Sequence, residues 1–199
     1  MIKLGVVILA AGSSSRLGYP KQLVEFRGKK LLQHIVEVAE SLEFSTQILV
    51  LGARAEEILE RINLSKFKTV IHKSWEEGMG TSISKGISEA LESEKDLEHI
   101  LILVSDQPFV TKGTLQELVT VHLNNNMPAT FSEYAGDVGV PAIFSRQLFS
   151  DLKELKGNHG AKKLLFNKNL EFETFKFERG NFDVDTSADV ELLKQMEKK

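Results

Sequence analysis

Gly5–Ala11 (GVVILAA) is an unbroken apolar run closed by Gly12, the pattern of a central strand buried on both faces of a parallel sheet. Downstream, Lys29–Leu42 carries Leu31, Leu32, Ile35, Val36, Val38, Ala39 and Leu42 at helical spacing and predicts a helix. The chain then alternates. Gln47–Leu51, ended by Gly52, predicts a second buried strand, Ala55–Ile62 a short helix, and Lys68–His72 a third strand. Thr81–Leu91 predicts a helix entered through Gly78 and Gly80. His99–Val104 predicts a fourth strand, and Thr111–Leu123 a helix with Thr111 as its N-cap. Four strand–helix units in a row predict an α/β sheet with right-handed crossovers.

The alternation breaks after Leu123. Ala129–Tyr134 and Val140–Phe144 predict two strands around a turn at Gly136-Asp137. Arg146–Lys153 and Gly160–Phe166 predict short helices. Leu170–Phe177 alternates apolar and polar residues, as an edge strand does. Ser187–Met196 predicts a C-terminal helix with Ser187 as N-cap, and the charged stretch Glu191–Lys199 its solvated face. The late strands turn the expected sheet from purely parallel to mixed. With no repeat and no linker, one domain spanning 1–199 is expected.

Composition narrows the function classes. The 199 residues are 42% hydrophobic and 27% charged, the balance of a soluble globular chain. A net charge of −3 gives no global electrostatic case for nucleic acid or an anionic membrane. The absence of Cys excludes disulfides, Cys-ligated zinc, iron–sulfur clusters and thiol catalysis. No apolar run reaches the length of a membrane span. The apolar N-terminus carries Lys3 and runs into a glycine loop, so it reads as a strand rather than a signal peptide, and a cytoplasmic location is expected.

The strongest chemical signal is Leu9–Leu23 (LAAGSSSRLGYPKQL). A buried strand opens directly into a loop of Gly and Ser, followed by Arg16 and Lys21. Such a loop presents backbone N–H groups to an anion, and the two cations neutralise phosphate charge. In doubly wound sheets, ligands bind beyond the carboxyl ends of the strands, where this loop lies. The Walker spacing is missing, and so is the dinucleotide fingerprint, because Ser14 stands where its second Gly would be. A second signal is Asp106, at the end of the fourth strand in Ser105-Asp106-Gln107-Pro108. A carboxylate there is well placed to hold Mg²⁺ against phosphate oxygens; an Asx-turn is the structural alternative.

The loop resembles the signature of nucleotidyltransferases that move NMP from an NTP onto a phosphate or sugar phosphate. Further motifs fall in that superfamily's order: Glu77–Ser82 (EGMGTS), Ser105–Pro108 (SDQP), Gly139–Phe144 (GVPAIF), Gly157–Ala161 (GNHGA) and Asp183–Thr186 (DVDT). Together they are similar to the molybdenum-cofactor (molybdopterin) cytidylyltransferase branch. The resemblance runs from Leu9 to Asp189, and implies a Rossmann-like three-layer α/β/α nucleotidyltransferase fold with a mostly parallel mixed sheet. Leu17-Gly18 stands where the branch often has Met-Gly, a volume-similar change.

The activity implied is Mg²⁺-dependent transfer of CMP from CTP to the phosphate of molybdenum-bound molybdopterin, with release of pyrophosphate, in maturation of molybdenum hydroxylases. The alternative keeps the fold but takes another NTP or a sugar-phosphate acceptor. Ala10-Ala11-Gly12 falls on the cytidylyl side of the branch pattern, although the same form accompanies sugar and isoprenoid precursors. By resemblance, Leu9, Ala10, Ala11, Gly12, Ser13, Ser14 and Ser15 line the nucleotide. Arg16 is assigned to the β/γ-phosphates and Lys21 to the α-phosphate, and Asp106 joins them as the third catalytic residue. Gly80, Thr81 and Ser82 are assigned to the base and ribose, with plain capping by Thr81 as the alternative. Asp106 and Asp185 are the candidate metal ligands, with Asp183 competing for the second place. Pro141, Asn158 and His159 are assigned to the acceptor; an exposed loop histidine is an equal reading of His159. Trp75 either packs or stacks on a ring. The expected partners are an NTP, CTP favoured, a molybdopterin-type phosphate acceptor and a client molybdoenzyme, with neither nucleic acid nor membrane.

Overall fold

The computed structural model describes residues 2–168 and 170–197, with the side chains of 167 and 168 left aside. Met1, Lys198 and Lys199, part of the stretches read above, lie outside the described residues. In chain order the elements are β1 (Leu4–Ala10), a hairpin of β2 (Glu25–Phe26) and β3 (Lys29–Lys30), α1 (Leu31–Glu40), β4 (Thr46–Leu51), α2 (Ala55–Leu59), β5 (Lys68–Ile71), α3 (Met79–Ser93), β6 (His99–Val104) and α4 (Lys112–Asn125). There follow β7 (Ala129–Tyr134), β8 (Asp137–Ser145), α5 (Phe149–Lys153), α6 (Lys163–Lys168), β9 (Glu173–Lys176) and α7 (Ser187–Glu197).

Seven strands form one mixed sheet in the order β5-β4-β1-β6-β8-β7-β9. β5, β4, β1 and β6 are parallel; β8 runs antiparallel to β6 and β7, and β9 is parallel to β7. This is the fold expected. Every residue of β1 is buried, as its unbroken apolar run requires. The pleat sends Val6, Ile8 and Ala10 to one face, where α1, α2, α4 and α7 pack, and Val7 and Leu9 to the other, under α3, α5 and α6. Within this second core Phe131 and Phe144 meet edge to face, with ring centroids 5.3 Å apart.

The differences from the sequence reading are local. The start of the predicted Lys29–Leu42 helix is the second strand of the small hairpin. Ser187 is the first helical residue of α7 rather than its cap. Thr186 caps it: the Asp189 amide donates to Thr186 Oγ1 at 3.3 Å, and the Thr186 amide donates to Asp189 Oδ2 at 2.7 Å. Thr111 caps α4 as expected, in a reciprocal box with Thr114. Leu170–Phe177 narrows to β9 at the sheet edge.

The arrangement has a functional consequence. The chain runs outward from β1 through β4 to β5, then returns to lay β6 on the other side of β1. The crevice beyond the carboxyl ends of β1 and β6 is therefore a topological switch point, the place where open α/β sheets bind ligands. The Gly12 loop leaves β1 there, and Asp106 follows β6.

At the far end of β6, His99 Nδ1 stands 2.9 Å from His122 Nε2, and His122 Nδ1 stands 2.9 Å from Thr130 Oγ1. His122 is buried, and burial followed by the neighbouring His99 brings its pKa down to about 4. An unfolded chain protonates this ring near pH 6.5, so the folded state is fully favoured above that pH and loses stability as pH falls toward 4. Between pH 7 and pH 5 the loss from this ring is expected to be about 2 kcal/mol. Urea titration at both pH values is expected to show that loss reduced by a similar amount in His122→Gln.

Candidate active site

The Gly12 loop is built by local bonds. Ser14 takes the left-handed conformation (φ 55), and its carbonyl accepts from the Leu17 and Gly18 amides at 3.0 Å. Its hydroxyl accepts from the Lys21 amide at 3.0 Å. Pro20 then starts a single 3-10 turn, Lys21–Leu23, which swings the Lys21 side chain back over the end of β1. Beneath the loop, the fully buried Gln22 donates from Nε2 to the Ala10 carbonyl at 2.8 Å. This pins the strand end from which the loop springs.

Lys21 is the electrostatic centre. Its ammonium donates to Asp106 Oδ2, and to Asp185 Oδ1 at 2.7 Å. Arg16 reaches Asp185 Oδ2 from the outer side, at 2.7 Å. Burial acts to lower the Lys21 pKa, but the carboxylates of Asp106 and Asp185 outweigh it and hold the ammonium above its ordinary value. Burial likewise acts to raise Asp185, and Lys21 and Arg16 outweigh it and hold that carboxyl below its usual range. Asp185 is set in place by its neighbours. The Val184 amide donates to the Asp106 carbonyl at 3.1 Å, and the Asp185 amide to Asp189 Oδ2 at 3.1 Å.

Two lobes open on this cluster. The first, about 330 Å³, is lined by Leu9–Ser13, Lys21, Gln22, Trp75, Met79, Ser82, Asp106 and Asn158 among others. The second, about 210 Å³, is lined by Gln107, Tyr134, Gly139, Val140, Lys162 and Asp183 and by an apolar wall. Leu9, Met79, Val104 and Asp106 belong to both. In the second lobe, burial and then the Asp106 carboxylate push Asp183 up to about 6, and burial followed by the Asp183 carboxylate pushes Tyr134 up to about 12.

The structure thus brings Leu9–Ser13, Lys21, Ser82 and Asp106 into one lobe. Ser14 and Ser15 shape the turn without lining it, and Arg16 stands at the rim through Asp185. Gly80 and Thr81 face elsewhere. The Gly80 amide donates to the Gly157 carbonyl at 2.8 Å. The Thr81 hydroxyl donates to the Gly78 carbonyl at 2.8 Å and stands 2.9 Å from His72 Nε2, on the opposite side of α3. Asn158 lines the first lobe rather than the second. His159 and Pro141 line neither; the neighbouring Val140 and Gly139 do, and the Val140–Pro141 peptide is cis. Asp185, not Asp183, shares Lys21 with Asp106. Trp75 lines the first lobe and packs on the core beneath α3.

Sequence reasoning missed Gln22, Met79, Gln107 and Tyr134. Gln107 donates to the Val140 carbonyl at 3.1 Å and the Gly180 carbonyl at 2.9 Å, tying the wall of the second lobe to the end of β6. Its place beside Asp106 was the one available signal.

The sheet order and the loop at its switch point are those of a nucleotide-binding α/β fold, and the family match makes the chain a nucleotidyltransferase. The chain belongs to the MobA-like NTP transferase domain family, which it matches over residues 6–172. It is 35% identical over 117 residues to nicotine blue oxidoreductase of Paenarthrobacter nicotinovorans, covering 58% of this chain and 55% of that one. It is 31% identical over 169 residues to purine catabolism protein PucB of Bacillus subtilis, covering 80% and 78%. The structure of Rv0371c from Mycobacterium tuberculosis superposes with a TM-score of 0.86 at 30% identity, over 98% of both chains. That protein has also been solved in complex with manganese. The chain spans about half the length of nicotine blue oxidoreductase, and its match to bifunctional protein GlmU of Desulfitobacterium hafniense covers 26% of that relative. Among the described residues, no helix is long and apolar enough to cross a membrane.

The two glycine loops meet without side chains between them. Gly78 has φ 109, and a Cβ there would stand 2.3 Å from the Gly157 carbonyl carbon. Gly78→Ala is therefore expected to cost about 1–3 kcal/mol of stability in urea titration, from strain and displaced backbone. Because Gly78 and Asn158 both line the first lobe, calorimetry is expected to show weakened NTP binding in the same variant.

Proposed function

We propose that this chain transfers CMP from CTP to the phosphate of molybdenum-bound molybdopterin and releases pyrophosphate. The observation that carries the reading is the position of Asp106, which lines both lobes while its neighbour Lys21 lines the first. A triphosphate in the first lobe and a phosphate-bearing acceptor in the second would meet at these two groups. The motifs shared with the molybdenum-cofactor cytidylyltransferase branch support the choice of base and acceptor.

The chemistry required of the chain is positioning and charge neutralisation. An oxygen of the acceptor phosphate bonds to the α-phosphorus, the bond from that phosphorus to the bridging oxygen breaks, and pyrophosphate leaves with the electron pair. A phosphate is already ionised at neutral pH, so the residues need no general base. Lys21 stabilises the charge at the α-phosphate, and Arg16 at the leaving phosphates. Gly12 and Ser13 offer backbone N–H groups, and the open space around Gly12 leaves room for a phosphate.

The residues also fit a divalent cation. Asp106 Oδ1 is buried without a hydrogen-bond partner, and two hard carboxylate oxygens converge on the Lys21 ammonium. No cluster of three or more His, Cys, Asp or Glu among the described residues could hold a metal. Asp106 and Asp185 would therefore hold Mg²⁺ only together with phosphate oxygens and water, its ordinary habit. The ion would neutralise phosphate charge as a Lewis acid.

Pyrophosphate release is the test, with Mg²⁺ and molybdenum-loaded molybdopterin, in parallel with CTP, GTP, ATP and UTP. Release with CTP above the other three is expected. Release only with another NTP, or only with a sugar phosphate, would transfer the reading to the alternative base or acceptor. Asp106→Ala is expected to abolish turnover with the fold intact; near-normal release would remove Asp106 from the mechanism. Lys21→Ala is expected to lower kcat/KM by about 100-fold or more, the scale of a lost charge stabiliser.

A further inference from the structure

We propose that a cleft outside both lobes, between the tip of the β2–β3 hairpin and the turn after β6, binds a phosphate group through Arg27 and Arg179. The inference stands apart from the nucleotidyl-transfer reading, because the cleft shares no lining residue with either lobe.

Both guanidiniums rest on aromatic rings. Arg179 Cζ stands 3.4 Å from the centroid of the Phe109 ring, and Arg27 Cζ 5.0 Å from that of Phe26. The two rings meet edge to face with centroids 5.8 Å apart, so one buried aromatic pair carries both cations. Arg27 and Gly28 are the left-handed pair of the hairpin turn, with φ 51 and φ 73. Such turns ordinarily take Asn-Gly; here the first position carries a long cationic side chain against the cleft. Neither guanidinium has a hydrogen bond or an ion pair among the described residues. No Asp or Glu among those residues lines the cleft, and Glu25 and Glu178, which flank the arginines in sequence, stay outside it. Lys29 adds a third cation, held by Glu37 from outside. His34 is already engaged with the Val110 carbonyl through Nε2, at 2.8 Å.

Charge and shape select the occupant. A guanidinium stacked by its face keeps its edge N–H donors free, and these match the oxygens of a phosphate. Two unpaired cations favour a doubly charged anion, and a phosphate ester is mostly dianionic at about pH 7. The aromatic contacts hold the arginines before a ligand arrives, which lowers the ordering cost of binding. At about 270 Å³ the cleft lies at the small end of ligand pockets, which run from ~300 Å³ upward. It suits a phosphate on a small body rather than the surface of a protein. The cleft also abuts the charge cluster from outside. Phe109 lies three residues after Asp106 and meets Phe182, three residues before Asp185, with ring centroids 5.5 Å apart. The phosphate can come from free inorganic phosphate, from pyrophosphate or from the ester of a small metabolite, and the test separates these sources.

The experiment is NMR titration of the full chain at about pH 7, following the Nε–H signals of Arg27 and Arg179 and the amides of Lys29 and Thr111. The probes are inorganic phosphate, pyrophosphate, phenyl phosphate and, at matched ionic strength, acetate. At least one phosphate compound is expected to move all four signals together and to saturate with a Kd of about 1 mM or tighter. Acetate is expected to leave them in place. Arg27→Gln with Arg179→Gln is expected to weaken that binding about tenfold or more, with the amide spectrum away from the cleft unchanged. Arg27→Lys with Arg179→Lys, which keeps the charge and loses the planar fork, is expected to fall between the two. No saturable shift below about 20 mM, an equal response to acetate, or wild-type affinity in either double variant would overturn the inference. The tightest of the three phosphate compounds identifies the source.

Discussion

One ammonium group holds three distant segments in register. Lys21, Asp106 and Asp185 come from the loop after β1, the turn after β6 and the stretch before α7, and they meet in a pocket shielded from most solvent. Two carboxylates brought this close repel each other unless a cation stands between them. Lys21 supplies that cation, and Arg16 adds a second contact on the outer side of Asp185. The backbone bond from Val184 to Asp106 and the cap at Thr186–Asp189 make the meeting rigid rather than incidental. The charge set that would receive a triphosphate is therefore already balanced internally.

The two lobes are divided by shared walls rather than by separate elements. Met79, at the start of α3, lines both, and so does Leu9 at the end of β1. The loop at Gly157 rests on Gly78 and Gly80 by backbone contact, then continues as the wall of the second lobe through Gly160, Ala161 and Lys162. The start of α3 thus borders the cleft on both sides of Asp106.

The parallel half of the fold was legible because strands buried on both faces must be apolar throughout. β1, β4 and β6 fall within a residue of their predicted bounds for that reason. The hairpin at Glu25–Lys30 was not legible, since two-residue strands carry no period. Leu9–Ser13, Lys21 and Asp106 were expected together, and they line one lobe because the loop after β1 and the turn after β6 open at the same end of the sheet. Thr81 and Ser82 could not be told apart, because only the packing of α3 decides which of two adjacent hydroxyls faces the cleft. Gln22 and Gln107 are buried polar groups whose partners are backbone carbonyls, and neither leaves a trace in hydrophobic spacing. Asn158 and His159 lie in the loop before α6 and Pro141 in β8; Asn158 lines the first lobe, and the other two line neither.

The order in which the parts are made carries its own consequence. Synthesis delivers Lys21 first, Asp106 much later and Asp185 after the last strand of the sheet. Every strand of the main sheet precedes Asp185, so the charge cluster receives its second carboxylate from a segment that adds no strand. Sheet and pocket are therefore separable along the chain: the residues of the first are all in place before those of the second are complete.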